Sequence, residues 1–138
     1  MGISARNQIK GKIESVQEGA VNAIVTLKTE GGSTITSTIS MASVKDLELV
    51  SGKDATAVIK ATSVMIGVGD MKLSARNQLT GEIINVTEGA VNASVTLKID
   101  AENAVTSTIS LAAVKELGLA PGVKAKAIIK ATEVMIAV

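Results

Sequence analysis

Two stretches of the chain carry the same alternating pattern. Residues 21–40 read VNAIVTLKTEGGSTITSTIS, and residues 91–110 read VNASVTLKIDAENAVTSTIS. In the first stretch apolar side chains stand at every second position, namely Val21, Ala23, Val25 and Leu27. Residues 30–32, Glu-Gly-Gly, form a turn signal, and the β-branched run of residues 34–39 alternates again. The pattern predicts two antiparallel strands, each with one buried face.

The segments that flank this hairpin complete a small barrel. Residues 8–16 alternate in the same way before the hairpin. Ser40 is placed to cap a short helix. The apolar residues at helical spacing after it are Met41, Val44 and Leu47. Residues 55–62 and 64–68 then predict two closing strands. Five strands with one short helix before the fourth are typical of a Greek-key barrel of the OB type.

The chain contains this unit twice. Residues 3–68 align with residues 73–138 at a constant offset of 70, and 39 of the 66 pairs are identical. The sequence therefore predicts an all-β protein of two tandem OB-fold-like, five-stranded Greek-key barrels, each with one short helix. We expect the first unit over residues 1–68, a short joint at 69–72 and the second unit over 73–138. Because the joint is short, the two units must lie side by side, and they could exchange strands.

The composition excludes several functions. The 138 residues include no Cys, His, Phe, Tyr or Trp, which excludes thiolate metal sites, imidazole bases and aromatic stacking platforms. With 14 basic and 13 acidic residues, the chain lacks the large net positive charge that binds nucleic acid. No signal peptide or membrane-length apolar run is visible, so we expect a cytoplasmic protein without a membrane partner. Small apolar residues build thin cores, so we expect subunit interfaces to add stability.

Segments shared by both repeats are rich in hydrogen-bond donors. Ser-Ala-Arg-Asn at residues 4–7 offers a hydroxyl, a guanidinium and an amide, although a turn serine beside a solvated arginine would give the same pattern. Ser37 falls on the face of Ile35 and Ile39, so its buried hydroxyl needs a partner, which could be a ligand. Ser40 and the neighbouring threonines are explained by capping and by strand propensity.

Two further segments add to these donors. Lys60 shares the outward face of its predicted strand with Val58 and Thr62, a face that a partner could cover, although lysines are common on edge strands. In residues 18–23, Glu-Gly-Ala-Val-Asn-Ala, we expect Gly19 at positive φ. The donors of this turn are the N–H groups of Ala20 and Val21 and the side chain of Asn22, a weak nest for anions. A fully deprotonated oxyanion only accepts hydrogen bonds, so donors without acceptors are what it requires.

Four motifs, each present twice, resemble a known family. They are Ser-Ala-Arg-Asn-Gln (4–8, 74–78), Glu-Gly-Ala-Val-Asn-Ala (18–23, 88–93), Thr-Ser-Thr-Ile-Ser (36–40, 106–110) and Ile-Lys-Ala-Thr-x-Val-Met-Ile (59–66, 129–136). Together they resemble the molybdate-binding Mop domain of the molbindins, and two copies in one chain resemble the tandem, di-Mop arrangement. The resemblance covers nearly the whole chain.

The resemblance implies a binding protein and not an enzyme. It implies molybdate or tungstate as the ligand, held as an oxyanion at sites shared between subunits, with no metal cation, no cofactor and no catalytic residue. It further implies a homotrimer of six Mop units and a role in cytoplasmic molybdenum storage. The implied oxyanion-binding residues are Ser4, Arg6, Asn7, Ala20, Asn22, Ser37, Lys60 and Ala61 in the first repeat, and Ser74, Arg76, Asn77, Ala90, Asn92, Ser107, Lys130 and Ala131 in the second.

Three alternatives stay open at this point. A Mop-type module could sense molybdate and act through a protein partner. An OB barrel could bind nucleic acid, although the absence of aromatic residues and the near-neutral charge argue against it. An enzyme could use Ser37 and Lys60 as a nucleophile pair, but no third group is present to orient them.

Overall fold

The computed structural model describes residues 2–138, so residue 1 of the first predicted unit lies outside it. The first repeat forms β1 (Asn7–Glu18), β2 (Asn22–Thr29), β3 (Thr34–Ser40), α1 (Met41–Asp46), β4 (Asp54–Ile59) and β5 (Met65–Gly67). The second forms β6 (Asn77–Glu88), β7 (Asn92–Lys98), β8 (Ala104–Ser110), α2 (Leu111–Leu117), β9 (Lys124–Ile129) and β10 (Met135–Ala137). Single-turn 3₁₀ helices lie at Ala61–Ser63 and Ala131–Glu133.

The strands follow the predicted alternation. Along β1, Ile9 and Ile13 are buried whereas Lys10 between them is exposed. β1 pairs antiparallel with both β2 and β4, and the register shifts between Ile13 and Ser15. Such a bulge bends a strand and increases its twist, which helps a sheet to close on itself. The mostly β fold with two five-stranded sheets and two short helices is confirmed.

The two repeats exchange their last strands. The first sheet has the order β10-β4-β1-β2-β3, and the second has β5-β9-β6-β7-β8. The edge strand of each sheet therefore comes from the other repeat, with Met135 opposite Val58 and Met65 opposite Ile128. The repeat boundary in the sequence is thus crossed by the hydrogen-bonded sheets. Neither barrel is complete without the other repeat.

The short helices begin as predicted. The Ser40 side chain accepts a hydrogen bond from the Ser43 N–H, and the Ser110 side chain accepts one from the Ala113 N–H. These contacts satisfy N–H groups that the first helical turn leaves without a partner. Among the helices of residues 2–138, none is long and apolar enough to cross a bilayer.

One core runs through both repeats and consists of small aliphatic side chains. Its largest fully buried members include Ile13, Leu27, Ile35 and Ile59, with Ile83, Leu97, Val105 and Ile129 at the equivalent positions. Because the core is continuous, separating the repeats would expose apolar surface in addition to breaking the exchanged strands.

Three local predictions are wrong. Val21 precedes β2 and is 74% exposed, so it does not share the buried face of that strand. Within residues 2–138, Gly19 is not one of the glycines that have a positive φ. A Cβ at Gly19 would instead lie 2.6 Å from the Asn22 carbonyl oxygen, so the close approach of the backbone requires glycine. The strand expected through residue 62 ends at Ile59.

Candidate functional site

Each repeat has a cavity beside the start of its first strand. The first, of about 300 Å³, is lined by Ile3, Ser4, Ala5, Arg6, Lys60, Ala61 and Thr62, with Thr108 and Met135 from the second repeat. The second, of about 410 Å³, is lined by Leu73, Ser74, Ala75, Arg76, Ile128, Lys130, Ala131 and Thr132, with Thr38 and Met65 from the first repeat. Both repeats thus contribute to both cavities.

Strand pairing explains why the arginine and the lysine meet. In the antiparallel pair of β1 and β4, Asn7 lies opposite Ile59. Arg6 precedes that pair on one strand and Lys60 follows it on the other, so both leave the sheet at the same end. Asn77 and Ile129 place Arg76 and Lys130 in the same way.

The cavities are rich in donors and contain no carboxylate. No Asp or Glu is among the lining residues of either cavity. In residues 2–138 the one ion pair joins Lys12 and Asp54 at 2.7 Å, so neither Arg6 nor Lys60 has a carboxylate partner. Two exposed cations and serine and threonine hydroxyls in one cavity favour an anion, and a planar guanidinium can bind two oxygens of one anion.

The turn after β4 places one free backbone donor among the residues that line the first cavity. Lys60 is the residue before the 3₁₀ helix, and the lysine side chain makes no capping hydrogen bond there. The outward strand face predicted for Lys60 does not exist, because β4 has ended and Val58 is buried within the chain. The N–H of Ala61 has no acceptor within residues 2–138. Lys130 and Ala131 have the same arrangement in the second repeat.

Asn7 and Asn77, predicted as anion ligands, bond to the backbone of the other repeat. Asn7 is 3% exposed, its Nδ2 donates to the Thr106 carbonyl at 2.8 Å, and its Oδ1 accepts from the Thr106 N–H at 2.8 Å. Asn77 makes the same two bonds to Thr36, at 2.7 and 2.8 Å. We call this symmetric pair of contacts the amide clasp. Each amide thus uses one of its two N–H groups and its oxygen on the other repeat, which gives both side chains a structural role.

Ser37 and Ser107 are also structural in this arrangement. Both are fully buried, and their hydroxyls donate to the carbonyl oxygens of Val134 and Val64 respectively. The partner of Ser37 that the sequence left open is therefore a carbonyl of the other repeat, and not a ligand.

The residues that follow these serines line the cavities instead. Successive residues of a strand point to opposite faces, so burial of Ser37 and Ser107 turns Thr38 and Thr108 toward the cavities. Sequence reasoning missed both threonines, although the alternation with Ile35 contained the signal. It also missed Met65 and Met135, which only strand exchange brings to the cavities.

The Glu-Gly-Ala-Val-Asn turns lie apart from the cavities of their own repeats. The turn with Ala20 and Asn22 follows the last residue of β1, whereas Arg6 precedes the first. Ala20 and Asn22 are exposed, as are Ala90 and Asn92 of the second repeat. Within the described chain, the N–H groups of Ala20 and Val21 have no acceptor. These turns are a second group of free donors.

The fold and the cavities define a class: a duplicated small β-barrel protein with oxyanion-type donor sets shared between repeats. Two matches to the TOBE domain model, at residues 3–66 and 73–136, show that the chain belongs to the TOBE domain family. In residues 2–138 no cluster of three His, Cys, Asp or Glu side chains offers a cation site.

Named relatives agree with that family. ModE of Azotobacter vinelandii, a molybdenum transport protein, is 41% identical over all of this chain, which spans 52% of ModE. A probable molybdenum-pterin-binding protein of Haemophilus influenzae is 59% identical over 68 residues, 49% of this chain and 99% of the relative. The chain thus spans about half the length of the ModE relative.

A solved structure matches the whole chain. The cytoplasmic molybdate-binding protein ModG, solved with molybdate bound, superposes with a TM-score of 0.97 at 43% identity. The match covers 100% of this chain and 99% of that one. The resemblance to the tandem molbindins is confirmed by these matches.

Proposed function

We propose that this chain binds molybdate and tungstate in its two cavities and serves intracellular molybdenum storage and homeostasis. The observation that carries the proposal is the meeting of Ser4, Arg6 and Lys60 in a cavity without a carboxylate, repeated by the second half of the chain. ModG, similar over its full length, was solved with molybdate bound. Donor groups without a carboxylate support binding of an oxyanion as the proposed activity.

Each donor has a separate task. The guanidinium of Arg6 binds two oxygens of the anion, and Lys60 supplies a compact second charge. The Ser4 hydroxyl and the Ala61 N–H complete the set, and Ser74, Arg76, Lys130 and Ala131 do the same in the second cavity. A dianion is costly to bury unless many donors converge on it, and the Thr108 hydroxyl of the other repeat adds a further donor to the first cavity.

A second kind of site lies at the exposed turns. Ala20 and Asn22, with Ala90 and Asn92, offer free donors beside Val21 and Val91, each 74% exposed. Free donors next to exposed valines fit a surface that other subunits complete. We therefore propose a homotrimer, with these turns near its axis and with six barrels in one particle. A cytoplasmic location is part of the proposal, as for ModG.

A second candidate function is molybdate sensing through a protein partner. The observation behind it is that this chain spans only 52% of the ModE relative, so the same unit occurs there joined to a further region. Nucleic acid is not a partner in either proposal.

Isothermal titration with molybdate tests the proposal, with sulfate and phosphate as controls. We expect more than one molybdate per chain and no heat from sulfate. Native mass spectrometry should give three chains per particle. Absence of binding by both titration and equilibrium dialysis would overturn the proposed ligand, and a monomer at micromolar concentration would overturn the shared turn site.

A further inference from the structure

The arginines of the two cavities have different surroundings. Arg6 Nη1 donates to Ser94 Oγ of the other repeat at 3.0 Å. The residue equivalent to Ser94 in the first repeat is Ile24, which cannot accept a hydrogen bond. Within residues 2–138, the Arg76 side chain makes no hydrogen bond. One arginine is thus held by a contact between repeats, and the other is not.

Ser94 and Ile24 occupy matching places beside the two cavities. Ser94 lies opposite Thr108 in the pair of β7 and β8, and Thr108 lines the cavity of Arg6. Ile24 lies opposite Thr38 in the pair of β2 and β3, and Thr38 lines the cavity of Arg76. The two cavities therefore share their motif residues. They differ at the strand position beside the threonine, where Ser94 has a hydroxyl and Ile24 has a sec-butyl group.

We propose that the two cavities bind the oxyanion with unequal affinity, the cavity of Arg6 more tightly, and that Ser94 is the positioning residue responsible. This inference rests on the proposed function. Ser94 does not contact the bound anion in this proposal. Its hydroxyl acts by holding Arg6.

Pre-organisation gives the direction of the difference. A guanidinium has five N–H donors, so one bond to Ser94 leaves four for the anion. A free arginine side chain loses rotamer freedom when a ligand orders it, and a side chain that is already held loses less. The net strength of one ordinary hydrogen bond sets the scale, about two- to tenfold in affinity.

Reciprocal substitutions test this in the intact chain. Of the two cavities, Arg76→Ala leaves only the first with its arginine and Arg6→Ala leaves only the second, and the proposed turn sites are the same in every variant. Adding Ser94→Ile to the first should weaken molybdate binding about two- to tenfold. Adding Ile24→Ser to the second should tighten it by a similar factor. Ser94→Thr, which keeps the hydroxyl, should retain most of the affinity of the isolated first cavity.

The outcomes separate the two proposals. No molybdate binding in the unsubstituted chain would remove the proposed function. Binding with equal affinities in the two isolated cavities, unchanged by Ser94→Ile, would leave the function intact and overturn this inference. Ser94→Ile in the Arg6→Ala background is the control: it should leave the second cavity unchanged, whereas a general loss of structure would weaken both cavities.

Discussion

The two repeats contact each other partly through matched and partly through unmatched interactions. The amide clasp is one contact made twice, whereas the bond between Arg6 and Ser94 is made once. The polar cavity residues Ser4, Arg6 and Lys60 have identical counterparts in the second half, whereas the contact between Arg6 and Ser94 has no counterpart. Duplication thus gives two equal sets of oxyanion-binding residues. Their surroundings differ, because each set is in contact with a different half of the chain.

A second unmatched contact joins the two hairpin loops. The Asp100 carboxylate accepts hydrogen bonds from Thr29 Oγ1 at 3.1 Å and from Ser33 Oγ at 2.5 Å, both in the first repeat. Its equivalent, Glu30, is exposed. Gly31 leaves the room that Asp100 occupies, because a Cβ there would collide with the carboxylate. Asp100 lies where the loops meet and Glu30 does not, so the halves do not match here.

The largest effect should come from breaking the matched contact. Asn7→Ala leaves the N–H and the carbonyl of Thr106 without their partner, and Asn77→Ala does the same to Thr36. We expect each variant to lower the free energy of unfolding by roughly 2–4 kcal/mol, the cost of two unpaired backbone groups. Urea unfolding measures it, with the exposed Asn22→Ala as the matched control. Clearly unequal losses at Asn7 and Asn77 would contradict the symmetry of the clasp.

Removing both arginines should come next. Arg6→Ala together with Arg76→Ala deletes the charged donor that both cavities share. We expect affinity for molybdate in each cavity to fall by at least roughly 10- to 150-fold, the loss of about 1.5–3 kcal/mol for one of the two charged hydrogen bonds that the guanidinium makes, with unfolding unchanged. Titration and circular dichroism check the two parts. Undiminished stoichiometry and affinity would remove the arginines from the site.

Acid should remove the stability that the Asp100 carboxylate contributes where the two loops meet. Burial raises the pKa of Asp100, but the hydrogen bonds that its carboxylate accepts outweigh burial and hold the pKa below its ordinary value of 3.8. The donors are Ser33 Oγ, the Glu102 N–H, Asn103 and Thr29 Oγ1. Because the pKa is lower in the folded state, Asp100 stabilises the fold above about pH 4, and this contribution is lost as the pH falls below that value.

The variant Asp100→Asn isolates this contribution from that of other carboxylates. We expect it to be less stable than the unsubstituted chain by about 1.5 kcal/mol at pH 7, the lower end for a hydrogen-bonded charge that is partly exposed. The difference should shrink when unfolding is repeated near pH 3. Glu30→Gln, at the equivalent exposed position, is the matched control for the substitution and should leave the urea midpoint at pH 7 unchanged. A difference that stayed constant with pH would refute the role of the Asp100 charge.

The smallest effect should come from the exposed ion pair. Lys12 and Asp54 are 69% and 84% exposed, and the second repeat reverses the charges at these positions to Glu82 and Lys124. Solvent screens such pairs, so Lys12→Ala and Glu82→Ala should both leave the urea midpoint unchanged within error. A clear loss from Lys12→Ala alone would mean that the halves differ in stability on their outer faces as well.

Much of the barrel could be predicted because its signals are local. Alternation predicted the strands, and Ser40 and Ser110 predicted the helix starts, since each signal depends on residues only a few positions apart. The prediction that Val21 is buried was wrong because alternation does not mark where a strand begins. The prediction of a positive φ at Gly19 was wrong because a close approach of backbone atoms, and not a positive φ, excludes a side chain there.

The sequence by itself determined the duplication, the all-β units and the surplus of donors over acceptors, because these are properties of composition and spacing. Tertiary structure alone decided which donors remain free. Ser37 bonds to Val134, 97 residues away, and Asn7 bonds to Thr106, 99 residues away. A donor is available to a ligand only when no such distant carbonyl takes it. Strand exchange sets those partners, and neither repeat taken separately contains them.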